Sequence, residues 1–251
     1  MTRYFDPPRP RVLAHRGLAI DAPENTPLAF ARAIEAGALH METDVQASSD
    51  GVAVVAHDAD LSRVAGRADR LGTLSALELA AIDLGHGQGF VPLAEVLDGF
   101  PETRFNIDVK DPRAVEPTAR AVLQTGALDR VLITSFSGGR RRATIALLPG
   151  VATSASAGSF LAALIAGKVG FSPAVRRALR GVDAVQIPER ALGMSTVTAR
   201  AIRGFHAAGV EVHVWTINDP ARMRELFELG VDGVVTDRAD LAVRTANGDT
   251  L

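Results

Sequence analysis

Short β-branched runs alternate with longer Ala/Leu/Arg-rich runs of helical period along the whole chain. That alternation predicts βα units wound around a parallel sheet. The patterning places strands at 11–14, 39–45, 52–56, 104–109, 130–134, 151–154, 183–187, 211–216 and 233–236. Helices fall at 26–36, 113–125, 140–147, 196–208 and 219–229. The helix at 219 follows Asn218-Asp219-Pro220, a cap residue with proline at the first helical position. Nine strands are one too many for an eight-stranded barrel. Only Gln46 to Gly51 separate the second run from the third, and Asp50-Gly51 is a hairpin turn signal. A parallel crossover needs roughly a dozen residues or more. The run at 52–56 therefore reads as an antiparallel return that projects beyond the rim. The other eight strands make a (β/α)8 TIM barrel.

Residues 59–90 form the longest stretch without a clear strand and read as a short insertion over the barrel mouth. It holds one helical segment, Ser75 to Ile82, with Ser75 and Glu78 spaced as a capping box. Its Gly85-His86-Gly87-Gln88-Gly89 run reads as flexible loop. No repeat, charge block or linker marks a boundary, and 251 residues suit a single barrel domain spanning 1–251.

Composition narrows the function. A net charge of -2 leaves no bulk field for nucleic acid or an anionic membrane, so phosphate binding needs a local site. The absence of cysteine excludes disulfides, zinc-thiolate sites and thiol nucleophiles. Residues 1–10 hold no apolar signal core, and the longest apolar stretch, around Phe160 to Ala166, is too short to span a bilayer. A cytoplasmic enzyme without a transmembrane segment is the expectation.

The unusual polar residues cluster at strand ends, where barrel enzymes place their chemistry. His15 and Arg16 follow the first strand, Glu42 and Asp44 share one face of the second, and Asp108 and Lys110 share a face at the end of the next barrel strand. Carboxylates inside apolar strands are costly without a partner. Two readings satisfy them: a hard cation, Mg²⁺ or Ca²⁺, held by Glu42, Asp44 and Asp108, or structural salt bridges to Arg16 and Lys110. His57 ends the hairpin return and so comes back to the level of Asp44. With His15 it makes a pair suited to general acid and base work. Arg16 and Lys110 suit a phosphoryl group. Trp215, the single tryptophan, ends a strand and suits either a pocket wall or core packing. His213 shares its face and is a possible substrate contact.

Taken together, these motifs resemble the glycerophosphodiester phosphodiesterase family. The matching segments are His15-Arg16-Gly17, Glu24-Asn25-Thr26, Glu42-Thr43-Asp44-Val45, His57-Asp58 with Leu61 and Arg63, Asn106-Ile107-Asp108-Val109-Lys110, Ser135-Phe136, Trp215-Thr216-Ile217-Asn218 and Asp232-Gly233-Val234-Val235-Thr236-Asp237. They run in family order over about residues 11–241. The resemblance implies a barrel of the phospholipase C-like phosphodiesterase type. It implies that His15 and His57 act as the general acid and base, of which we assign His57 as the acid and His15 as the base, and one divalent cation on Glu42, Asp44 and Asp108, with Glu24 a fourth candidate. Asn25 would support the Glu24 loop, Arg16 and Lys110 would hold phosphate, and Trp215 would flank substrate. One departure stands out: the third metal acid is commonly Glu in the family and here is Asp108, one methylene shorter.

The expected reaction is hydrolysis of a small-molecule glycerophosphodiester to sn-glycerol 3-phosphate and an alcohol, by attack of water or of the glycerol 2-hydroxyl. The insertion is where the alcohol would be sensed. Two other readings stay open. One is a lysophospholipase D- or phosphoinositide-type diesterase, for which Phe160, Leu161, Leu164, Ile165 and Phe171 would offer a lipid-facing patch rather than a helix packed on the barrel. The other is a non-catalytic phosphodiester-binding barrel.

Overall fold

The computed structural model describes residues 2–168, 172–191 and 193–249. Its strands are β1 (Arg11–His15), β2 (His40–Ala47), β3 (Ala53–Val55), β4 (Arg104–Val109), β5 (Val131–Thr134), β6 (Ala152–Thr153), β7 (Ala184–Pro188), β8 (Arg190–Ala191), β9 (Met194–Ser195), β10 (Glu211–Trp215) and β11 (Gly233–Thr236). The main sheet runs β6-β5-β4-β2-β1-β11-β10-β7, all parallel, and β8 pairs with β9 apart from it. The expected hairpin is present: β3 returns antiparallel along the end of β2, with Val45 opposite Val55. The two end strands of the main sheet then meet through one parallel bridge between Ser154 and Ala184. Eight strands thus close a barrel, and β3 stands outside it.

The helices are α1 (Pro27–Glu35), α2 (Ser62–Ala65), α3 (Ala76–Ala80), α4 (Leu93–Gly99), α5 (Val115–Gln124), α6 (Gly138–Ala146), α7 (Ala157–Lys168), α8 (Ser172–Ala178), α9 (Ala199–His206), α10 (Pro220–Glu228) and α11 (Ala239–Ala246). The patterning predicts no helix at α4 or α11. Both are short, and their apolar positions, Leu93, Val96 and Leu97 or Ala239 and Ala242, acquire a helical reason only when packed on the barrel. The β2 strand is buried at every position, as a strand covered on both faces must be. Met41 and Val45 face the helical layer with Phe105 and Ile107 of β4, whereas Glu42, Asp44, Asn106 and Asp108 face the interior of the mouth. The opposite end is plugged by Tyr4, which is fully buried against Leu132, Ala152 and Ala184.

Between β3 and α4 the insertion builds its own small core from Val54, Leu61, Leu71, Leu79, Ile82 and Phe90. The Ser75–Glu78 capping box is formed as expected. The glycine-rich run is a hydrogen-bonded turn rather than loose chain. Leu84 N–H donates to the Gln88 carbonyl (2.8 Å), and the Gln88 side chain accepts from Leu28 N–H (3.2 Å). No helix among the described residues is long and apolar enough to cross a membrane.

The seam between β6 and β7 is the thinnest part of the barrel, and Asp183 reinforces it. Its carboxylate accepts from Thr153 N–H (2.8 Å), while its own N–H donates to the Thr153 carbonyl (2.8 Å). Asp183→Ala leaves a buried backbone donor unpaired and is expected to cost about 1–3 kcal/mol. A urea midpoint unchanged from the parent would show that the seam does not depend on this bond.

Candidate active site

Parallel register brings the strand-end groups together. His15 lies level with Glu42, and Asp44 is level with Asp108. Beyond β1 the chain must turn back sharply. Arg16 adopts a left-handed backbone (φ 57°), and Gly17 follows at φ 84°. A Cβ at Gly17 would stand 2.6 Å from the Ala29 backbone, so only glycine fits there. The turn is held by Arg16 N–H donating to the Glu42 carbonyl and Asn25 N–H donating to the Arg16 carbonyl (each 2.9 Å). Asn25, itself left-handed at φ 58°, donates from its amide to Asp44 (3.3 Å) and accepts from Thr43 (2.7 Å). It thus supports the loop and the acid at once.

The three acids differ in their compensation. Asp44 has Lys110 Nζ at 3.0 Å and Arg16 Nε at 3.2 Å, the latter an ion pair not aligned as a hydrogen bond. Asp108 has Lys110 Nζ at 2.6 Å on one oxygen, but its other oxygen is buried without a partner. Glu42 is buried, and its Oε2 also lacks a hydrogen-bond partner. Burial, then the nearby charges of Asp44 and Asp108, hold the Glu42 carboxyl well above the ordinary range. Burial likewise raises Asp108, against the opposing pull of Lys110. Burial works to lower Lys110, but the two aspartates outweigh it and leave its ammonium held above its usual value.

Each histidine is anchored by a carboxylate. His15 Nδ1 donates to Asp237 Oδ1 (2.7 Å), and Asp237 Oδ2 accepts from Asn218 (2.8 Å). The bond from His15 is the main reason that the Asp237 carboxyl sits below its ordinary value. His57 Nδ1 donates to Asp58 Oδ1 (2.7 Å). Burial pushes Asp58 up, but hydrogen bonds from His57 and Arg63 prevail and hold it low. With Nδ1 occupied as a donor, each neutral ring keeps its acceptor at Nε2. Arg63, from α2, also grips Glu24 with two bonds (2.6 and 2.8 Å), and Glu24 in turn accepts from Arg16 (2.9 Å). One arginine of the insertion therefore braces both His57 and the Arg16 loop.

His15, Arg16, Glu42, Asp44, His57, Asp108, Lys110 and Trp215 all line one cleft of about 500 Å³ at the C-terminal ends of the strands. Glu24 does not line it. Glu24 is turned to its two arginines and faces an adjoining cavity of about 180 Å³ behind His57. The insertion lines that second cavity, and none of residues 59–90 lines the main cleft. His213 is corrected outright: it is fully buried toward the closed end, 3.1 Å from Glu211, and away from the cleft. The apolar patch is divided. Leu164 belongs to the core, Phe160 belongs to the core and also lines the cleft beside Leu161, Ile165 is exposed, and Phe171 lies outside the described residues. Sequence reasoning gave Asp237, Asn218, Asp58 and Arg63 no roles, although all four sit within the quoted motifs. Their spacing to the histidine or carboxylate they touch is visible only for Asp58, the immediate neighbour of His57.

Among the described residues, no three acids or histidines are gathered closely enough to hold a metal ion as they stand, and the Lys110 ammonium is paired with both Asp44 and Asp108. The donor chemistry nevertheless suits a hard cation. The set is all oxygen, and two buried carboxylate oxygens, Glu42 Oε2 and Asp108 Oδ1, lack a hydrogen-bond partner, although His15 Nε2 stands 3.9 Å from the former.

The mouth of the barrel thus carries two histidines, three buried acids and two cations in one cleft. Residues 15–241 match the family described as "Glycerophosphoryl diester phosphodiesterase family", and the chain belongs to it. It is 42% identical over 231 residues to a Mycobacterium tuberculosis protein named "Probable glycerophosphodiester phosphodiesterase 2", covering 91% of this chain and 88% of that one. A glycerophosphodiester phosphodiesterase from Thermotoga maritima superposes with a TM-score of 0.73 at 28% identity, over 93% of this chain and 96% of the other. An Oleispira antarctica phosphodiesterase, solved with the product sn-glycerol-3-phosphate, shares the fold with a TM-score of 0.77 at 22% identity, over 95% and 97% of the two chains.

Because Glu42 is buried with one oxygen unpaired, Glu42→Gln is expected to stabilise the protein in EDTA, on the order of 1–3 kcal/mol at about pH 8. The sign follows from linkage. A carboxyl raised in the folded state keeps full stability below its unfolded value and loses it as pH rises through the folded one. The gain from Gln should therefore be small at about pH 4 and grow toward about pH 8. Urea midpoints that show no gain at the higher pH would mean that Glu42 is already compensated.

Proposed function

We propose that the protein hydrolyses glycerophosphodiesters to sn-glycerol 3-phosphate and an alcohol, with His15 and His57 exchanging protons with the reacting oxygens. The observation that carries this reading is a single cleft holding two carboxylate-anchored histidines beside Arg16, Lys110 and three acids. The family name and the product complex of the Oleispira relative agree with it.

In the proposed reaction, Arg16 and Lys110 bind the phosphate and offset the charge that builds on its oxygens. His15 Nε2 accepts the proton of the attacking oxygen, and Asp237 stabilises the resulting imidazolium. His57, protonated before the step, gives its proton to the alcohol oxygen as the P–O bond breaks. Asn218 and Arg63 keep the two anchoring carboxylates in place. Glu42, Asp44 and Asp108 would hold one divalent cation, Mg²⁺ or Ca²⁺, with Glu24 a further candidate only if Arg16 and Arg63 release it. When bound, such an ion supplies Lewis-acid polarisation of a phosphate oxygen or a glycerol hydroxyl. With Asp108 in place of the longer acid, Lys110 reaches between Asp44 and Asp108.

The test is release of glycerol 3-phosphate from glycerophosphocholine and glycerophosphoethanolamine, with EDTA and after adding back Mg²⁺, Ca²⁺ or Mn²⁺. Release is expected with metal and not with EDTA. Absence of release under every condition would overturn the activity, and full release in EDTA would overturn the metal. His57→Ala and His15→Ala are each expected to lower kcat by about 10²–10⁴. A His57→Ala protein with full turnover would remove its role as acid.

A further inference from the structure

The net charge of -2 hides an uneven distribution. Residues 157–206, which include α7, α8 and α9, hold seven Lys and Arg against two Asp and Glu, whereas the rest of the chain holds twenty against twenty-seven. Both acids of that stretch are already engaged. Glu189 pairs with Arg222 (2.7 Å), and Asp183 accepts from Thr153 N–H at the barrel seam. Six of the cations, Lys168, Arg176, Arg177, Arg180, Arg200 and Arg203, are exposed, and none has a carboxylate within ion-pair distance among the described residues. The three helices pack on one another, so these charges share one flank of the barrel. Like charges gathered in this way repel, and an anion that covered them would relieve the cost.

Among them α7 is chemically different. From Ala157 to Gly167 it has no charged residue, and Ser159 is its only polar side chain. A helix on the outside of a barrel normally turns polar groups to water. Here Ala162 and Ile165 are exposed instead, Ile165 by 51%. Between α7, α8 and α9 lies a cavity of about 230 Å³ that shares no lining residue with the catalytic cleft. Leu164, Val175 and Phe205 give it an apolar lining, Lys168 and Arg200 bring positive charge, and no acid lines it among the described residues. A nucleic acid would use the cations and leave the aliphatic surface wet. A bilayer with anionic head groups uses both, because cations meet the phosphates while aliphatic side chains enter the acyl boundary.

We propose that the α7–α9 flank is a docking surface for an anionic bilayer, with a lipid phosphate held by Lys168 and Arg200 and with Ile165 entering the acyl boundary. The lipid is a surface here and not a substrate. The contact is peripheral, since no helix among the described residues is long and apolar enough to cross a membrane. α7 also reaches the catalytic cleft with Ala157 and Leu161, so a docked barrel opens beside the lipid surface. This goes beyond the proposed reaction and does not rest on it.

The experiment is sedimentation of the protein with vesicles of phosphatidylcholine alone and of phosphatidylcholine mixed equally with phosphatidylglycerol. Binding is expected to the mixed vesicles only, and raising NaCl from about 0.05 to 0.5 M should release it. Lys168→Gln and Arg200→Gln should each weaken partitioning about fivefold. Ile165→Ser should weaken it as well. All three variants should keep the parent's circular dichroism spectrum and its glycerophosphocholine turnover in solution. Arg176→Gln with Arg177→Gln, on α8, repeats the test if the first variants do not fold. Equal sedimentation with both kinds of vesicle, sedimentation with neither, or parent-like binding by the folded variants would overturn the inference. Binding to a DNA duplex as strong as to the mixed vesicles, and unaffected by Ile165→Ser, would assign the flank to a polyanion and overturn it too.

Discussion

Three carboxylates brought together in the mouth of a barrel are the constraint on which the rest of the site depends. Glu42, Asp44 and Asp108 are all buried, and parallel register sets the two aspartates level with each other. Such a group is expensive unless charge and hydrogen bonds surround it. Lys110 and Arg16 supply part of that, and Asn25 adds an amide. The left-handed turn at Arg16 and the obligatory Gly17 follow from the need to fold Arg16 back over Asp44. What stays without a hydrogen-bond partner is one oxygen each on Glu42 and Asp108.

The hairpin and insertion answer a second need, that of bringing a histidine from outside the barrel to its mouth. β3 returns along β2, and His57 follows it to the level of the acids. A residue at the tip of such an excursion has few local restraints, so its position depends on long-range partners. Asp58 orients the ring, Arg63 orients Asp58, and the same Arg63 ties the excursion to Glu24 and through it to Arg16. The small core under Leu61 and Leu79 makes that excursion a packed unit and not a loose loop. His15 is held by other means, through residues that follow β10 and β11, so the two histidines are positioned by opposite sides of the barrel.

Much of this was legible along the chain. Alternation of period two and period 3.6 indicates the βα repeat, and the short spacing around Asp50-Gly51 separates the hairpin from the barrel strands. The i, i+2 pairs Glu42/Asp44 and Asp108/Lys110 declare a shared face before any neighbour is known. The same logic misled at His213. Sharing a face with Trp215 says nothing of depth, and two residues along a strand is enough to pass from the mouth into the sealed interior. Short helices such as α4 and α11 were illegible for a related reason, because their stability comes from packing and not from a periodic signal of sufficient length.

The sequence by itself determined the barrel class, the order of its strands and the inventory of groups at its mouth, since these follow from local periodicity and from strand-end placement. Only the tertiary structure decided which of those groups meet. It sent Glu24 to Arg63 and Arg16 and away from the cleft, set Lys110 between two aspartates, and joined His15 to Asp237 across 222 residues. It also brought Phe136, Leu161, Pro188 and Trp215, from separate elements, into the same cleft as the acids. Contacts between distant strand ends depend on barrel closure and on register, and no local pattern encodes either.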